Sequence, residues 1–185
     1  MDDLDVLVDA ARAGGGWAFG RLWESLAPAV ASYLRARGVR DPDDVTSEVF
    51  LAAFRGIGRF NGDGIAFRAW LFTIAHHKAA DTFRRRSGRE LLRETVDDGR
   101  TQPSAEDTAL SGLAETAALQ RLASLTDDQR DVILLRIVGD LSIAETARVL
   151  DRPVGAVKAL QHRALARLRA SAVSPEADQT ITRSR

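Results

Sequence analysis

The chain has 185 residues, 45% of them apolar, with no cysteine and with 26 basic against 26 acidic side chains. That length holds one large or two small globular domains, and the absence of cysteine excludes a disulfide framework, a thiolate metal site and a cysteine nucleophile. A net charge of zero excludes a protein that coats nucleic acid by charge alone.

The charge is nevertheless segregated. Five basic residues and no acid lie between Arg152 and Arg169, and Arg84, Arg85, Arg86 and Arg89 form a second acid-free cluster. Acids gather at 2–9, 41–48 and 94–98. Two local basic surfaces on a neutral chain suit phosphate binding assisted by another partner. The N-terminus is acidic, unlike a signal peptide, and no apolar run nears the ~20 residues that span a bilayer. The expected location is the cytoplasm, without membrane insertion.

In chain order, Leu4, Leu7, Val8 and Ala11 recur at helical spacing, and Gly14–Gly16 end that first helix. Phe19, Leu22, Trp23, Leu26, Val30 and Leu34 mark a second helix to about Arg37, which Pro28 is expected to kink or divide. Asp41 is the expected N-cap of a third, with Pro42 at its first position, and that helix runs to about Gly56. Residues 60–64 read as a loop, and a fourth helix is expected from about Phe67 to Arg86. Residues 87–112 lack periodicity and read as a flexible linker. Beyond it, Thr126 with Gln129 and Ser142 with Glu145 form two capping-box signatures, which open helices at 127–138 and 143–150. A last helix follows from Pro153 to about Ala170, and residues 172–185 are a polar tail. The fold class is therefore all-α. Two small helical domains, 1–90 and 113–171, are joined by a linker at 91–112.

The segment 142–163 reads as a helix-turn-helix. Val157, Leu160, Ala164 and Leu168 share one face of its second helix and can enter a core. The opposite face carries Arg152, Val154, Ala156, Lys158, Ala159, His162 and Arg163, and it fits a DNA major groove. The plainer reading is a three-helix packing unit with a solvated basic face. His76, His77 and Asp81 raise the question of a metal-dependent enzyme. Adjacent helical residues point about 100° apart, so these histidines do not converge. Neither a metal, a cofactor nor a catalytic residue is expected.

The ordered motifs resemble those of sigma-70-family transcription initiation factors of the extracytoplasmic-function (ECF) type. Residues 41–54 (DPDDVTSEVFLAAF) resemble the polymerase-binding helix of region 2, and 70–85 (WLFTIAHHKAADTFRR) its promoter-melting and upstream −10 segment. Residues 122–130 (LASLTDDQR) and 141–163 resemble region 4, which reads the −35 element. The resemblance covers residues 17–170. It implies RNA polymerase core (clamp and flap regions), promoter DNA and an anti-sigma factor as partners. It implies that Asp41, Asp43, Asp44, Glu48 and Phe50 meet the polymerase. Phe60, Asn61, Phe67, His77, Lys78, Arg84 and Arg85 would serve the −10 element, with the loop at Phe60 and Asn61 as the better site of base capture. Trp70 and Leu71 fit a core role better. Ser47, His77 and Ala159–Gln161 depart from family usage, and the latter two alter DNA-facing positions. A one-component helix-turn-helix regulator is the alternative. Such a regulator needs no polymerase-binding helix.

Overall fold

The computed structural model describes residues 3–90 and 118–172, with side chains from 3 to 84 and from 118 to 170. Every regular element among them is helical. The N-terminal half holds α1 (Asp3–Arg12), α2 (Gly16–Ala36), α3 (Pro42–Gly56), a 3₁₀ turn (Ile57–Arg59) and α4 (Gly64–Glu90). The C-terminal half holds α5 (Asp127–Ile137), α6 (Ile143–Val149) and α7 (Val154–Ala172). The expected linker at 91–112 and the polar tail lie outside the described residues.

Each helix buries the stripe its sequence offers. Leu7, Val8 and Ala11 of α1 face Leu22, Leu26, Val30, Tyr33 and Leu34 of α2, and Val49, Phe50 and Ala53 of α3 join them. Pro28 does not divide α2, which runs unbroken to Ala36. Pro28 is exposed, so the carbonyl left without its amide partner can bind water. At the end of α2, Gly38 adopts φ 86°, and its amide donates to the Arg35 carbonyl at 2.9 Å. Left-handed backbone of this kind closes a helix at little cost only in glycine.

Helix α4 begins at Gly64, three residues before the expected start at Phe67. Tertiary structure supplies the reason. Asp5 of α1 accepts from the Gly64 amide at 2.8 Å, and Asp63 accepts from Ala66 at 2.8 Å. A Cβ on Gly64 would lie 2.8 Å from Leu4, so only glycine lets α1 sit across this helix end. The helix also continues past Ser87 to Glu90, into the stretch expected to be linker. At α3 the expected cap is partly realised. The helix starts at Pro42, but the Asp41 side chain makes no capping bond.

Both capping boxes form. Thr126 Oγ1 accepts from the Gln129 amide while Gln129 accepts from Thr126, and Ser142 and Glu145 do the same. Each cap is worth about 1 kcal/mol. The turn between α6 and α7 places Asp151 at φ 49°, a region short polar side chains tolerate. The Arg152 amide then donates back to Ala147 at 2.9 Å, which fixes the turn.

The two halves do not stand apart. Leu134, Leu135, Leu141 and Val149 of the C-terminal half lie in the same core cluster as Leu71, Phe72, Ala75 and Ala79 of α4. The helix-turn-helix keeps a small core of its own in Val132, Ala147, Val157 and Leu160.

Candidate nucleic-acid interface

Helix α7 divides as its sequence predicts. Val157, Leu160 and Ala164 are buried, while Arg152, Val154, Lys158, Ala159, His162 and Arg163 are exposed and Ala156 is half-buried. Lys158, His162 and Arg163 make no ion pair among the described residues. Arg152 differs: its guanidinium donates to Asp128 of α5 at 2.7 Å. That contact braces the turn from the outside. The small side chains Gly155, Ala156 and Ala159 keep the approach to this face low, as a helix in a major groove requires.

The second surface lies at the start and along the outer side of α4. Asn61 is exposed and Phe60 is half-buried. Phe60 stacks on Trp70 with ring centroids 5.0 Å apart and planes inclined by 19°, and it meets Phe67 edge-on at 5.6 Å. Phe67 is fully buried, which corrects its expected place among base-facing residues. At helical spacing from Leu71 and Trp70 it points inward and supports Phe60 from below. Trp70, expected in the core, is half-buried and backs Phe60 directly. His77 and Arg84 are exposed, Lys78 is partly so, and the Arg85 side chain lies outside the described ones. Lys78 and Arg84 are already held. Lys78 Nζ donates to Glu48 of α3 at 2.7 Å, and Arg84 donates to Asp81 one turn back.

On α3, Asp41, Asp43, Asp44 and Glu48 all face solvent. Phe50 does not. It is 1% exposed and packs against Trp23 at 4.8 Å and Phe54 at 5.5 Å, which removes it from the expected polymerase surface. Trp23 and Leu51, 39% and 49% exposed, are large apolar side chains that α2 and α3 leave open, as is Trp17 at the start of α2. The apolar periodicity of 19, 22, 23 and 26 assigns Trp23 to the core, so the sequence hides its exposure.

A further cluster has no signature in the sequence. Asp131 of α5 enters the N-terminal half and puts its Oδ1 2.5 Å from Arg37 Nη1, with both side chains nearly out of water. It is an ion pair rather than an aligned hydrogen bond. Arg37 Nη1 also donates to His76 Nδ1 at 3.0 Å and to Tyr33 Oη at 3.4 Å. Tyr33 Oη also lies 3.1 Å from His76 Nδ1, so the two donors Arg37 and Tyr33 converge on that nitrogen when the imidazole carries its proton on Nε2. Burial, the Arg37 charge and then His77 push His76 down to about 4. Burial pushes the Asp131 carboxyl up to about 6 against the pull of Arg37, and it raises Tyr33 further still. The adjacent histidines thus part: His76 enters this cluster and His77 faces solvent. Among the described residues no group of three or more His, Cys, Asp or Glu is placed to hold a metal ion, and no helix is long and apolar enough to cross a membrane. Single residues scattered over α2, α4 and α5 leave no motif, so nothing in their spacing could have announced this cluster.

A capped helix-turn-helix whose second helix leaves a basic face exposed is the architecture of a DNA-binding transcription protein. Comparison with known proteins makes this specific. Sigma-70 region 2 matches residues 22–89, and sigma-70 region 4 matches residues 115–168. The ECF RNA polymerase sigma factor BldN of Streptomyces coelicolor is 41% identical over 165 residues, 86% of this chain and 62% of that protein's length. SigD of Mycobacterium tuberculosis H37Rv is 35% identical over 175 residues, 90% of this chain and 82% of that one. Among solved structures, CnrH in complex with the cytosolic domain of CnrY superposes with a TM-score of 0.68 at 30% identity, covering 92% of this chain and 97% of that one. RpoE from Bartonella quintana, solved with the anti-sigma factor NepR, shares the fold at 21% identity with a TM-score of 0.64, over 84% of this chain and 98% of that one. The chain belongs to the sigma-70 family of RNA polymerase sigma factors, in its ECF branch. It is a transcription initiation factor that directs polymerase core to promoters, and sigma factors carry out no bond chemistry of their own.

Proposed function

We propose the following division of labour. Helix α7 reads the −35 element through Lys158, His162 and Arg163, with Arg152, Val154, Ala156 and Ala159 against the groove. Phe60 and Asn61 capture a base of the melting element, and His77, Lys78, Arg84 and Arg85 hold its phosphates. The acidic face of α3, with Asp41, Asp43, Asp44 and Glu48, meets the polymerase clamp. The observation that carries the reading is the exposed face of α7, whose Lys158 and Arg163 make no ion pair among the described residues. An aromatic platform beside a basic groove is likewise the means by which single-stranded bases are held.

The Lys78–Glu48 ion pair adds a mechanical detail. It joins one residue of the DNA set to one of the polymerase set, so the two surfaces abut between α3 and α4. Polymerase docking on Glu48 would release Lys78 toward phosphate. We also propose a cytoplasmic location and a protein inhibitor. CnrH, which was solved with the cytosolic domain of CnrY, supports such a partner.

Transcription from a promoter library with added core polymerase, followed by sequencing of RNA 5′ ends, tests the whole reading. RNA starts clustered downstream of one shared pair of elements are expected. Tight, specific DNA binding by the free protein with no RNA on adding core would favour the one-component regulator.

A further inference from the structure

We infer that Arg55 and Arg59 hold the phosphates that flank the base captured at Phe60 and Asn61. They would grip the melted strand without first breaking an ion pair, as Lys78 and Arg84 must. The inference rests on the proposed reading of Phe60 and Asn61 as the capture loop, and it supplies backbone contacts beside that loop.

Two contacts fix how α3 lies along α4. A Cβ on Gly56 would sit 3.1 Å from the Trp70 indole. Glu48, eight residues before Gly56, takes Lys78, eight residues after Trp70. The helices therefore run antiparallel. Phe60 stacks on that same indole, so the platform stands level with Gly56. Lys78 lies further along α4 by about 12 Å, at 1.5 Å per residue. No lysine or arginine occurs on α4 between Trp70 and Lys78. A strand leaving the platform along this edge would thus meet no arginine or lysine of α4 until it reached Lys78. Helix α3 and the turn after it supply what α4 lacks there. Arg55 is the residue before Gly56, and at seven residues from Glu48 it lies on the same stripe of α3. Arg59 is the residue before Phe60.

Both arginines are exposed, and neither makes an ion pair among the described residues. The acids of the loop are turned elsewhere: Asp63 accepts from the Ala66 amide and Asp5 from the Gly64 amide, each at 2.8 Å. Many surface arginines are merely solvated, but these two project from anchored backbone. Phe54 is wedged between Phe19 at 4.6 Å and Phe50 at 5.5 Å, Ile57 is buried, and the Phe60 amide closes the 3₁₀ turn on the Ile57 carbonyl at 3.0 Å. A Cβ on Gly58, between the two arginines, would meet nothing within 4 Å, so the approach to the turn is open. A guanidinium fork matches phosphate oxygens in pairs, and an aromatic platform with cations beside it is how single strands are held.

The test uses the full chain bound to core polymerase. The probe is a fork junction from a promoter mapped by its RNA 5′ ends, with the −10 element single-stranded on one strand. Affinity is measured from about 50 to 200 mM salt. Arg55→Gln with Arg59→Gln should lower the salt slope by about 1.4, at about 0.7 per single-strand phosphate, so wild type should lose about sevenfold more affinity than the variant over that range. Lysine at both positions should keep the slope. Preference at the captured base should stay unchanged, since phosphate contacts weaken all sequences alike. Methylphosphonates placed one at a time along the strand then locate the contacts. Neutralising the phosphates that flank the captured base should weaken wild type and leave the glutamine variant unmoved. An unchanged slope, altered base preference, or sensitive phosphates only at other positions overturns the inference. If the double variant loses helical circular dichroism, each single variant must lower the slope by about 0.7, and no change in either also overturns it. Phe60→Ala separates the two ideas. It should abolish preference at the captured base and keep the wild-type slope. Preference that survives Phe60→Ala, while the arginine pair still sets the slope, would count against the capture reading alone.

Discussion

The two proposed DNA surfaces differ in the state of their cations. On α7, Lys158 and Arg163 make no ion pair among the described residues, and the side chains beside them are small. On α4, Lys78 is held by Glu48 and Arg84 by Asp81, and the aromatic residues behind them form a packed base. The first surface can meet an intact duplex as it stands. In the proposed reading the second would exchange one partner for another, which suits an element that is engaged only after polymerase has docked. Sequence charge alone makes the two look alike; the difference lies in what each cation already touches.

The largest expected effect separates support from contact within the α4 surface. Phe67→Ala should cost about 3–5 kcal/mol of stability, because it opens a cavity under Phe60 and Trp70. Phe60→Ala should cost much less and should instead slow promoter opening. Urea denaturation and permanganate footprinting measure the two. Equal stability losses would erase the distinction between a buried support and a platform.

Arg163→Ala comes next. A base-edge contact is worth about 1–3 kcal/mol at one position, while a phosphate contact weakens all sequences alike. Preference should relax within the −35 element and remain unchanged near the start site. Replacing Arg84 and Arg85 together should slow open-complex formation and leave −35 preference intact. If Arg163→Ala altered melting on a pre-opened template, the two surfaces would not be independent.

Reversing charge at Asp44 and Glu48 should weaken core association roughly tenfold, since exposed charge contacts contribute about 0.2–1 kcal/mol each. Helical content should stay the same. Glu48→Lys alone should also free Lys78, so binding of non-specific single strands should rise in that variant by filter assay. Unchanged capture of core by the folded double variant would remove α3 from the interface.

The smallest effect concerns pH, and its sign follows from two opposed groups. His76 is depressed to about 4, so the folded form resists its protonation and loses stability as pH falls below 6.5. Asp131 is raised to about 6, so the folded form favours its protonation and gains stability as pH falls from 6 toward 3.8. Between pH 4 and 6 the two contributions oppose, and the wild-type seam should change little. His76→Asn removes the first contribution, so its stability relative to wild type should rise as pH falls through 6. Asp131→Asn should do the reverse. Urea midpoints at pH 4.5, 5.5 and 7 give the comparison, and parallel curves for all three proteins would contradict it.

Local structure was legible because its causes are local. The stripes of α1 to α3, both capping boxes and the inner face of α7 each depend on residues within a few positions of one another. The misread points all depend on distant residues. Helix α4 starts early because Asp5, on another helix, caps it. Phe50 and Phe67 carry the side-chain type of an interface, yet the neighbours that bury them come from α2 and from the loop at Phe60. Pro28 does not divide α2, because its exposed position leaves the carbonyl it frees open to water. The seam was the least legible of all. Its charged members are an arginine, a histidine and an aspartate that each look like ordinary surface residues in their own segments.

That shared seam bears on how promoter preference could be moved between relatives. A hybrid made from residues 1–112 of this chain and the C-terminal half of another family member would import a new reading helix. It would also import a new residue opposite Arg37. Unless that residue is a carboxylate of the same reach, the arginine is left buried without a counter-charge. The hybrid would then inherit the donor's DNA preference together with a resting shape that belongs to neither parent. Transplanting specificity in this protein is therefore a matter of matched halves, with position 131 carried as aspartate.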